Sequence, residues 1–531
     1  MPVLYDRPER QVVIDRRPEH YLCFPDVCLT TQGDLLCVYQ EYDQHAATRR
    51  RLLLRRSTDL GATWTDPEVY NEGITHCPRL RKLKNGHIWL LDQNGRTLLV
   101  STDHGRTWDR RDFTKVYEQV VFDRPLELAD GLVLTTGHSH RGSVPQPWLR
   151  QPRTEQLVYH AVNQGRNIRA LSVLAADPWL ALCEASMASL PDGRILALMR
   201  ENSMVYEPMY FCLSADQGRT WTDPAPTCLV GHRPTLDLTS SGKLLVTYRE
   251  TGPCMGTSAW LGTLEELARP YEVRGLTPLP DSGEAQPEII GGSLRIATRS
   301  GRSSAVRYSL RPLSDPVHSR AELTAVVRVL RAESEGCGIR FGGAWWRLFP
   351  DRLVMEVAAL DDAGKECVRR RWCKLPEGRF NEVRLSYVPG QVTLRVNGRK
   401  RAVLEVDHTA GLTRPIVFGT ANPLERNGGE HLWQRLSLRT SEPRLGREYA
   451  WDWDAGQGLP DAWKRAHVLE LADDRHAAYG DFGYSGWIEL PDKRFFCAFH
   501  HGGGDEPGYV PGRSAHVRGV WFTEEDFGPG S

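Results

Sequence analysis

One eight-residue pattern, S-x-D-x-G-x-T-W, occurs three times in the sequence: STDLGATW at 57–64, STDHGRTW at 101–108 and SADQGRTW at 214–221. A decayed copy, AVNQGRNI at 161–168, lies between the second and the third. In such a segment the Asp carboxylate can accept backbone N–H groups, Gly can adopt a positive φ, and Trp can pack against its own sheet. The pattern therefore predicts a recurring hairpin turn with a structural aspartate. The aspartates are Asp59, Asp103 and Asp216.

A second repeat, L-x-(D/N)-G-x-(I/L), is flanked by alternating apolar residues, as in hairpins of half-buried strands. It occurs six times, near residues 33, 86, 131, 193, 242 and 493. The first five copies are about fifty residues apart, which is typical of blades with four short strands each. The sixth copy follows some 250 residues later. The spacing predicts an all-β, six-bladed β-propeller interrupted by a separate domain.

The repeats also set the expected domain bounds. Blades one to five are predicted in 1–275, an inserted domain in 276–450 and the last blade in 451–531. The insertion contains alternating strands with frequent turn signals, which favour a β-sandwich. Its segment VTLRVNGRKRAVLEV at 392–406 resembles a hairpin of laminin-G or concanavalin-like jelly rolls. The segment RQVVIDR near residue 11 is predicted to close the last blade beside VRGVWFTEED at the C-terminal end.

Composition argues against several classes of partner. Lys plus Arg and Asp plus Glu both total 67, so no overall field favours nucleic acid or an anionic membrane surface. No apolar run is long enough for a signal-peptide core or a membrane span, which leads us to expect a cytoplasmic protein. The twelve cysteines lack C-x-x-C spacing, so we expect buried thiols in a reducing compartment, with no metal site and no cofactor.

The repeats, the number of blades and two further segments resemble the sialidase (neuraminidase) superfamily, in order along 1–275 and 465–531. The resemblance implies an acid/base aspartate in the first blade, matched by Asp43 in YDQHAATRRR. It also implies a glutamate and a tyrosine that together form the nucleophile. These are matched by Glu184 in CEASMASLPDG and by Tyr484 in DFGYSGWIELPD.

These residue types suit glycosidic bond cleavage, which needs a proton donor at the leaving oxygen and a nucleophile at the anomeric carbon. A tyrosine avoids the repulsion that a carboxylate nucleophile would meet at an anomeric carbon bearing its own carboxylate, and Glu184 could take the phenolic proton. Structural roles remain open alternatives at this point. Asp43 could cap a loop, Glu184 could pair with a core arginine, and Tyr484 could be a packed strand residue.

The sequence departs from the resemblance where sialidases hold the substrate carboxylate with three arginines. Cys23, Phe24 and Pro25 stand in place of an arginine-isoleucine-proline motif. The two other matching segments read EPMYFCLS and CMGTSAWLG, without arginine. Ordinary sialic acid hydrolysis is therefore not predicted.

Other arginines recur at equivalent places in the blades. Arg200 and Arg249 each end an inner hairpin, and Arg79 begins another. Such guanidinium groups could line the central funnel and bind a carboxylate or sulfate in bidentate fashion, or they could pair with Glu201 and Glu250. Histidines are also predicted near the mouths of the blades, where they could contact substrate or transfer protons. These are His45, His76 and His138, with His140, His500 and His501 as further members.

We therefore predict a retaining exo-glycoside hydrolase that acts on a terminal, acidic sugar and has a carbohydrate as its only partner. Two alternatives remain open. One is a non-catalytic glycan-binding propeller, and the other is a polysaccharide lyase in which a Tyr or His abstracts a proton beside a uronate. The sequence leaves the sugar, the linkage and the oligomeric state undetermined.

Overall fold

The computed structural model describes residues 3–44, 49–72, 76–92, 97–112, 121–143, 152–162, 164–203, 206–252, 255–276, 286–300, 305–360, 366–406, 414–421, 426–478 and 482–528. The chain forms two compact units. The first comprises Met1–Arg269 with Arg465–Ser531, and the second comprises Pro270–Lys464. No helix in the described part of the chain has both the length and the apolar character needed to cross a bilayer.

The first unit consists of six antiparallel sheets, and the predicted all-β six-bladed propeller is confirmed. A 3-10 turn at Pro8–Arg10 leads into β1 (Gln11–Asp15), an edge strand of the sixth sheet. Blade one contains β2 (Tyr21–Leu29), β3 (Leu35–Tyr42), β4 (Arg50–Ser57) and β5 (Glu68–Glu72). Blade two contains β6 (Arg79–Lys82), β7 (Ile88–Asp92), β8 (Thr97–Ser101) and β9 (Asp109–Asp112). Blade three contains β10 (Val121–Phe122), β11 (Leu126–Glu127), β12 (Val133–Arg141), β13 (Arg153–Val162) and β14 (Asn167–Ala175).

The other three blades complete the ring. Blade four contains β15 (Leu182–Ser189), β16 (Ile195–Glu201), β17 (Tyr210–Ser214) and β18 (Ala225–Pro226). Blade five begins with β19 (Gly231–Leu238), β20 (Leu244–Glu250) and β21 (Gly256–Gly262), followed by the helix α1 (Leu264–Leu267).

The second unit is a β-sandwich of two sheets, numbered here in chain order. The seven-stranded sheet contains β22 (Arg274–Leu276), β25 (Arg307–Leu310), β27 (Gly338–Phe341), β28 (Ala344–Leu348), β29 (Arg352–Leu360), β30 (Glu366–Lys374) and β34 (Ile416–Gly419). The eight-stranded sheet contains β23 (Glu288–Ile290), β24 (Ser293–Thr298), β26 (Arg320–Ala332), β31 (Asn381–Val388), β32 (Gln391–Val396), β33 (Arg399–Glu405), β35 (Gly429–Glu442) and β36 (Arg447–Asp454). Two 3-10 turns, Pro443–Leu445 and Ala455–Gln457, flank β36.

The chain then passes through α2 (Ala462–His467) and returns to the propeller. Its next strand, β37 (Val468–Asp473), pairs with β21 as the fourth strand of blade five. Blade six contains β38 (Ser485–Glu489), β39 (Phe495–His501) and β40 (His516–Phe522), followed by a 3-10 turn at Glu524–Asp526. The insertion thus interrupts blade five between its third and fourth strands. Hairpin spacing had placed it between two blades, because the repeat marks only the first two strands of each blade.

The three complete copies of the eight-residue pattern adopt the same turn. Each aspartate accepts the backbone N–H of the threonine four residues later, at 2.9 Å for Asp59, 2.8 Å for Asp103 and 2.9 Å for Asp216. The glycine has φ near +100° at Gly61, where a Cβ atom would lie 2.7 Å from the Phe496 ring. These aspartates have the structural role that the sequence predicts for them.

Hydrophobic cores fill the space between neighbouring blades. Leu36 and Leu54 of blade one pack with Leu80 and Ile88 of blade two in one buried cluster. Another cluster joins blades six and one through residues such as Phe496. Because each strand buries side chains against a neighbouring blade as well as within its own, the ring is stabilised as a whole.

Strand β1 closes the ring by pairing with β40, with Gln11 opposite Val520. We expect deletion of residues 1–20 to lower the free energy of unfolding by about 2–4 kcal/mol, because it removes ladder hydrogen bonds and exposes the edge of β40. Thermal and urea unfolding of the full and shortened chains would measure the loss. An unchanged melting temperature would contradict a closing role for β1.

Candidate active site

The innermost strands of four blades share an irregularity near their first residues. Phe24, Cys77, Glu184 and Arg233 all have φ between +45° and +56°, although none is glycine. In three of these strands the pairing register shifts at this point, as between Cys183 and Ser186. Such a bulge redirects a side chain away from the regular alternation, and a positive φ at a non-glycine residue costs about 1–3 kcal/mol. Strain repeated at one end of a propeller is typical of a functional site.

Strand register places most of the predicted site residues at this same end. Arg200 lies opposite Cys183, and Arg249 lies opposite His232, so both arginines stand beside the start of an innermost strand. His138 lies opposite Val121 at the corresponding place in blade three. The backbone carbonyl of Tyr484 accepts the N–H of His500 at 2.9 Å, just before β38 begins.

Arg200 joins the two residues predicted to form the nucleophile. Its Nη1 donates to Oε2 of Glu184 at 2.8 Å and to the hydroxyl oxygen of Tyr484 at 3.1 Å. All three side chains are nearly buried. Burial alone would raise the pKa of Glu184, but the Arg200 and Arg233 charges hold that pKa well below its usual range. Glu184 is therefore ionised and paired, while Tyr484 faces a cationic hydrogen-bond donor.

Tyr484 is further enclosed by an aromatic ring and a second arginine. The Phe24 ring meets it edge to face, with centroids 4.9 Å apart. The Arg249 guanidinium carbon lies 5.3 Å from the centre of the Tyr484 ring, and its Nη2 is 2.5 Å from Nδ1 of His232. Two cationic groups thus lie against one phenol, an arrangement that stabilises negative charge on its oxygen.

His138 adjoins Glu184 through the backbone. Its Nδ1 accepts the N–H of Glu184 at 3.3 Å. Burial lowers the pKa of His138 to about 3, so the ring is neutral at physiological pH and carries its proton on Nε2. The His140 ring is 5.3 Å away, and burial lowers its pKa as well. Two neutral imidazoles therefore stand at the edge of the Glu184 site.

The residues predicted in blades one and two lie beside this group. His76 is 3.0 Å from the Tyr42 hydroxyl through Nδ1, and its ring meets Phe24 edge to face at 5.0 Å. Asp43 follows Tyr42 directly, is half-buried and accepts the N–H of Arg49 at 3.2 Å. His45 lies outside the described residues.

Arg79 has a different environment from Arg200 and Arg249. It is 2% exposed, its Nε lies 3.6 Å from Oδ1 of Asp123, and burial together with the Arg233 charge lowers its pKa. Arg233 donates to the other oxygen of Asp123 at 2.7 Å and is fully buried. Arg79 thus belongs to a buried ion-pair group in which the Asp123 carboxylate pairs with both Arg79 and Arg233.

Sequence reasoning did not identify Asp123 and Arg233. A signal was available, because the tripeptides CFP at 23–25, HCP at 76–78 and HRP at 232–234 recur at the start of innermost strands. In each, a proline follows the residue with positive φ. Among the described residues, no group of three or more His, Cys, Asp or Glu side chains is placed to hold a metal ion.

No family model matches the sequence, and no curated protein matches it. Among solved structures, the chain is similar to a protein of unknown function from Dyadobacter fermentans, with a TM-score of 0.50 at 13% identity, over 96% of this chain and 97% of the other. It is also similar to a Hadza microbial sialidase, with a TM-score of 0.35 at 18% identity, over 54% and 63% of the two chains. A third similarity is to a Trypanosoma rangeli sialidase, with a TM-score of 0.32 at 11% identity, over 81% and 95%. At this level of identity, the first similarity bears on the fold alone.

Proposed function

We propose that this protein is an exo-acting glycoside hydrolase for a terminal acidic sugar, with Tyr484 as nucleophile and Asp43 as acid/base. The observation that carries the proposal is the shared hydrogen-bond donor, because Arg200 binds both Glu184 and the Tyr484 hydroxyl. A tyrosine held under two arginines, at one mouth of a propeller, suits attack on a carbon next to a carboxylate.

In the first half-reaction the Tyr484 oxygen forms a bond to the anomeric carbon and the glycosidic C–O bond breaks. Asp43 gives its proton to the leaving oxygen, and Glu184 takes the phenolic proton. In the second half-reaction Asp43 removes a proton from water, which attacks the same carbon. Tyr484 then leaves and recovers its proton from Glu184, so that all charges and protons balance.

Glu184 is a weak base while Arg200 holds it, because its pKa lies well below the usual range despite burial. A substrate carboxylate that takes the Arg200 N–H groups changes this, since it competes directly with Glu184 for the same donor. Substrate binding then raises the basicity of Glu184 at the moment when the phenolic proton must leave. This coupling favours acidic over neutral sugars.

The test is hydrolysis of aryl and alkyl glycosides of sialic acid, related keto-acids, uronic acids and neutral sugars. Asp43→Asn should lower turnover about 10²- to 10⁴-fold on alkyl glycosides, whose leaving group needs a proton, and less in the glycosylation step of 4-nitrophenyl glycosides. Asp66→Asn, at an exposed position in blade one, is the matched control and should leave turnover unchanged.

Two outcomes would contradict the proposal. Release of an unsaturated product that absorbs in the ultraviolet would indicate a lyase, with a Tyr or His as the base. Binding of acidic glycans with no turnover of any substrate would indicate a non-catalytic propeller.

A further inference from the structure

The two sheets of the second unit each end in a strongly basic edge strand. β30 reads ECVRRRWCK, and β33 reads RKRAVLE. Both are the last strand of their sheet. We call six of their exposed cationic residues the basic strip: Arg369, Arg371, Lys374, Arg399, Lys400 and Arg401. Since the whole chain has 67 basic and 67 acidic residues, this excess is local.

Some arginines at the surface of the same unit have acidic partners, whereas others, such as Arg320 and Arg395, form no ion pair within the described ranges. Arg295 pairs with Glu288 at 2.6 Å, Arg435 with Glu382 at 3.1 Å, and Arg439 with Asp452 at 2.6 Å. Even Arg370, within β30, pairs with Glu356 at 2.8 Å. Within the described ranges, no ion pair involves five strip residues: Arg371, Lys374, Arg399, Lys400 and Arg401. Their charges remain available to a ligand.

The two basic edges lie close together. The Phe418 ring of β34 lies 5.2 Å from the Trp433 ring of β35, and a Cβ atom on Gly342, between β27 and β28, would meet the Val392 side chain of β32. The two sheets therefore face each other with their strands in matching order, which places β30 and β33 at the same edge of the sandwich. Arg369 and Arg371 are opposite Val357 and Met355, so their side chains lie on the face of the sheet that carries the buried residues of β29. Cations from both sheets therefore line one open side of the sandwich.

Protection against edge-to-edge strand pairing explains only part of this charge. One or two charged residues are enough to discourage such pairing. The other edge strands of the same unit carry fewer basic residues: β22 reads RGL, β23 reads EII, and β36, REYAWDWD, carries more acidic than basic residues. Seven basic residues against two acidic ones on two neighbouring edges exceed what protection requires.

We propose that the basic strip binds a linear anionic polysaccharide carrying sulfate or carboxylate groups. Alternate residues of a strand are about 7 Å apart, so the strip presents cations in rows that a regularly charged polymer can follow. Trp372, with 68% of its surface exposed, adds a flat apolar surface on the face of β30 that also carries Lys374. The proposal rests on the proposed function in one respect, because it names the kind of polymer whose acidic terminal sugars the propeller would release.

The strip suits a polysaccharide better than a nucleic acid. Proteins that bind single-stranded nucleic acids stack successive bases on several aromatic side chains. Trp372 is the one aromatic residue in β30 and β33. Recognition here rests on charge and on one stacking surface.

The experiment measures binding of the full chain to dextran sulfate, polygalacturonate, uncharged dextran and oligo-dT over a range of salt concentrations. The wild type should bind the two anionic polysaccharides and not dextran. The variant Arg399→Glu/Lys400→Glu/Arg401→Glu should bind them at least about tenfold more weakly. Its slope of log Kd against log salt should fall by about two to three, as cation contacts are lost.

The matched control is Arg153→Glu/Arg320→Glu/Arg513→Glu, which changes net charge equally at exposed sites that do not belong to the strip. Equal weakening in the control, undiminished binding in the strip variant, or preference for oligo-dT would each overturn the proposal. Turnover of small aryl glycosides should be the same in both variants and in the wild type. Binding is measured without turnover, so a failure of the strip and a failure of the proposed hydrolase are distinguishable.

Discussion

Arg200→Met is expected to lower the free energy of unfolding by about 3–5 kcal/mol and to abolish glycoside turnover. Removing one partner of a buried ion pair leaves the other as an uncompensated charge, here Glu184. The Tyr484 hydroxyl loses its cationic donor in the same step. Urea unfolding gives the stability, and kcat on the best aryl glycoside gives the activity.

The double variant Glu184→Gln/Arg200→Met separates these two effects. Because it no longer buries an unpaired carboxylate, it should regain much of the stability lost in Arg200→Met. It should remain inactive, since both the donor to Tyr484 and the acceptor of its proton are absent. Equal stability losses in the single and double variants would show that Glu184 is not held by Arg200. Full activity in either variant would contradict the proposed mechanism.

Asp474→Asn is expected to stabilise the protein above about pH 8 by a few kcal/mol. Asp474 is 1% exposed, its Oδ1 accepts the Gly502 N–H at 2.6 Å, and no partner in the described residues reaches its Oδ2. Burial raises its pKa to about 8, the Asp473 charge adds to that rise, and the Gly502 and Gly503 N–H groups and Arg518 oppose it. An asparagine at this position can still accept the Gly502 N–H through its side-chain oxygen, and it has no proton that titrates in this pH range.

The direction of this effect follows from proton linkage. A carboxyl group with a raised pKa in the folded state binds its proton more tightly there than in the unfolded chain. Below about pH 4 the Asp474 carboxyl group is protonated in both the folded and the unfolded state, so it does not change the free energy of unfolding. Between about pH 4 and pH 8 the wild type loses stability progressively. The neighbouring His501 and His516, whose burial lowers their pKa values, destabilise only on the acid side. Because Nδ1 of His501 lies 3.4 Å from Oδ1 of Asp474, its contribution can differ between the two proteins there, and the alkaline range carries the test.

Thermal unfolding of the wild type and Asp474→Asn at pH 5 and pH 8.5 tests this prediction. The gap between their melting temperatures should widen with pH. Asp192→Asn, at an exposed hairpin turn, is the control and should show no such widening. A gap that narrows toward alkaline pH would contradict the assignment of a raised pKa to Asp474.

The propeller could be predicted from sequence because its turns are encoded locally. The Asp59 turn depends on residues within seven positions of one another, so each copy is recognisable by itself. Hairpin spacing then gives the number of blades. Spacing could not show that the insertion splits blade five, because β37 has no hairpin motif and pairs with β21 across the whole inserted unit.

The candidate site was predicted less completely than the fold, because its residues interact across large separations in the sequence. The resemblance implies that Glu184 and Tyr484 act together, and in the structure both side chains accept hydrogen bonds from Arg200, while their role as a nucleophile pair stays a prediction. The pairing of Arg233 with Asp123 spans 110 residues and depends on a bulged backbone, so no local pattern encodes it. The acid/base role of Asp43 stays a prediction, since the described contact of its carboxylate is with the Arg49 backbone.

The split of blade five bears on the order in which the chain can fold during synthesis. Blades one to four can form as their residues leave the ribosome, but β21 must wait for β37, about two hundred residues later. Throughout that interval β21 is paired with β20 on one side only, and such an open edge can recruit other chains. Because the sandwich is a compact unit with its own core, its early folding would bring residues 270 and 464 to fixed positions and shorten the search of β37 for β21. Slowing translation within residues 270–464 should therefore increase aggregation of nascent chains.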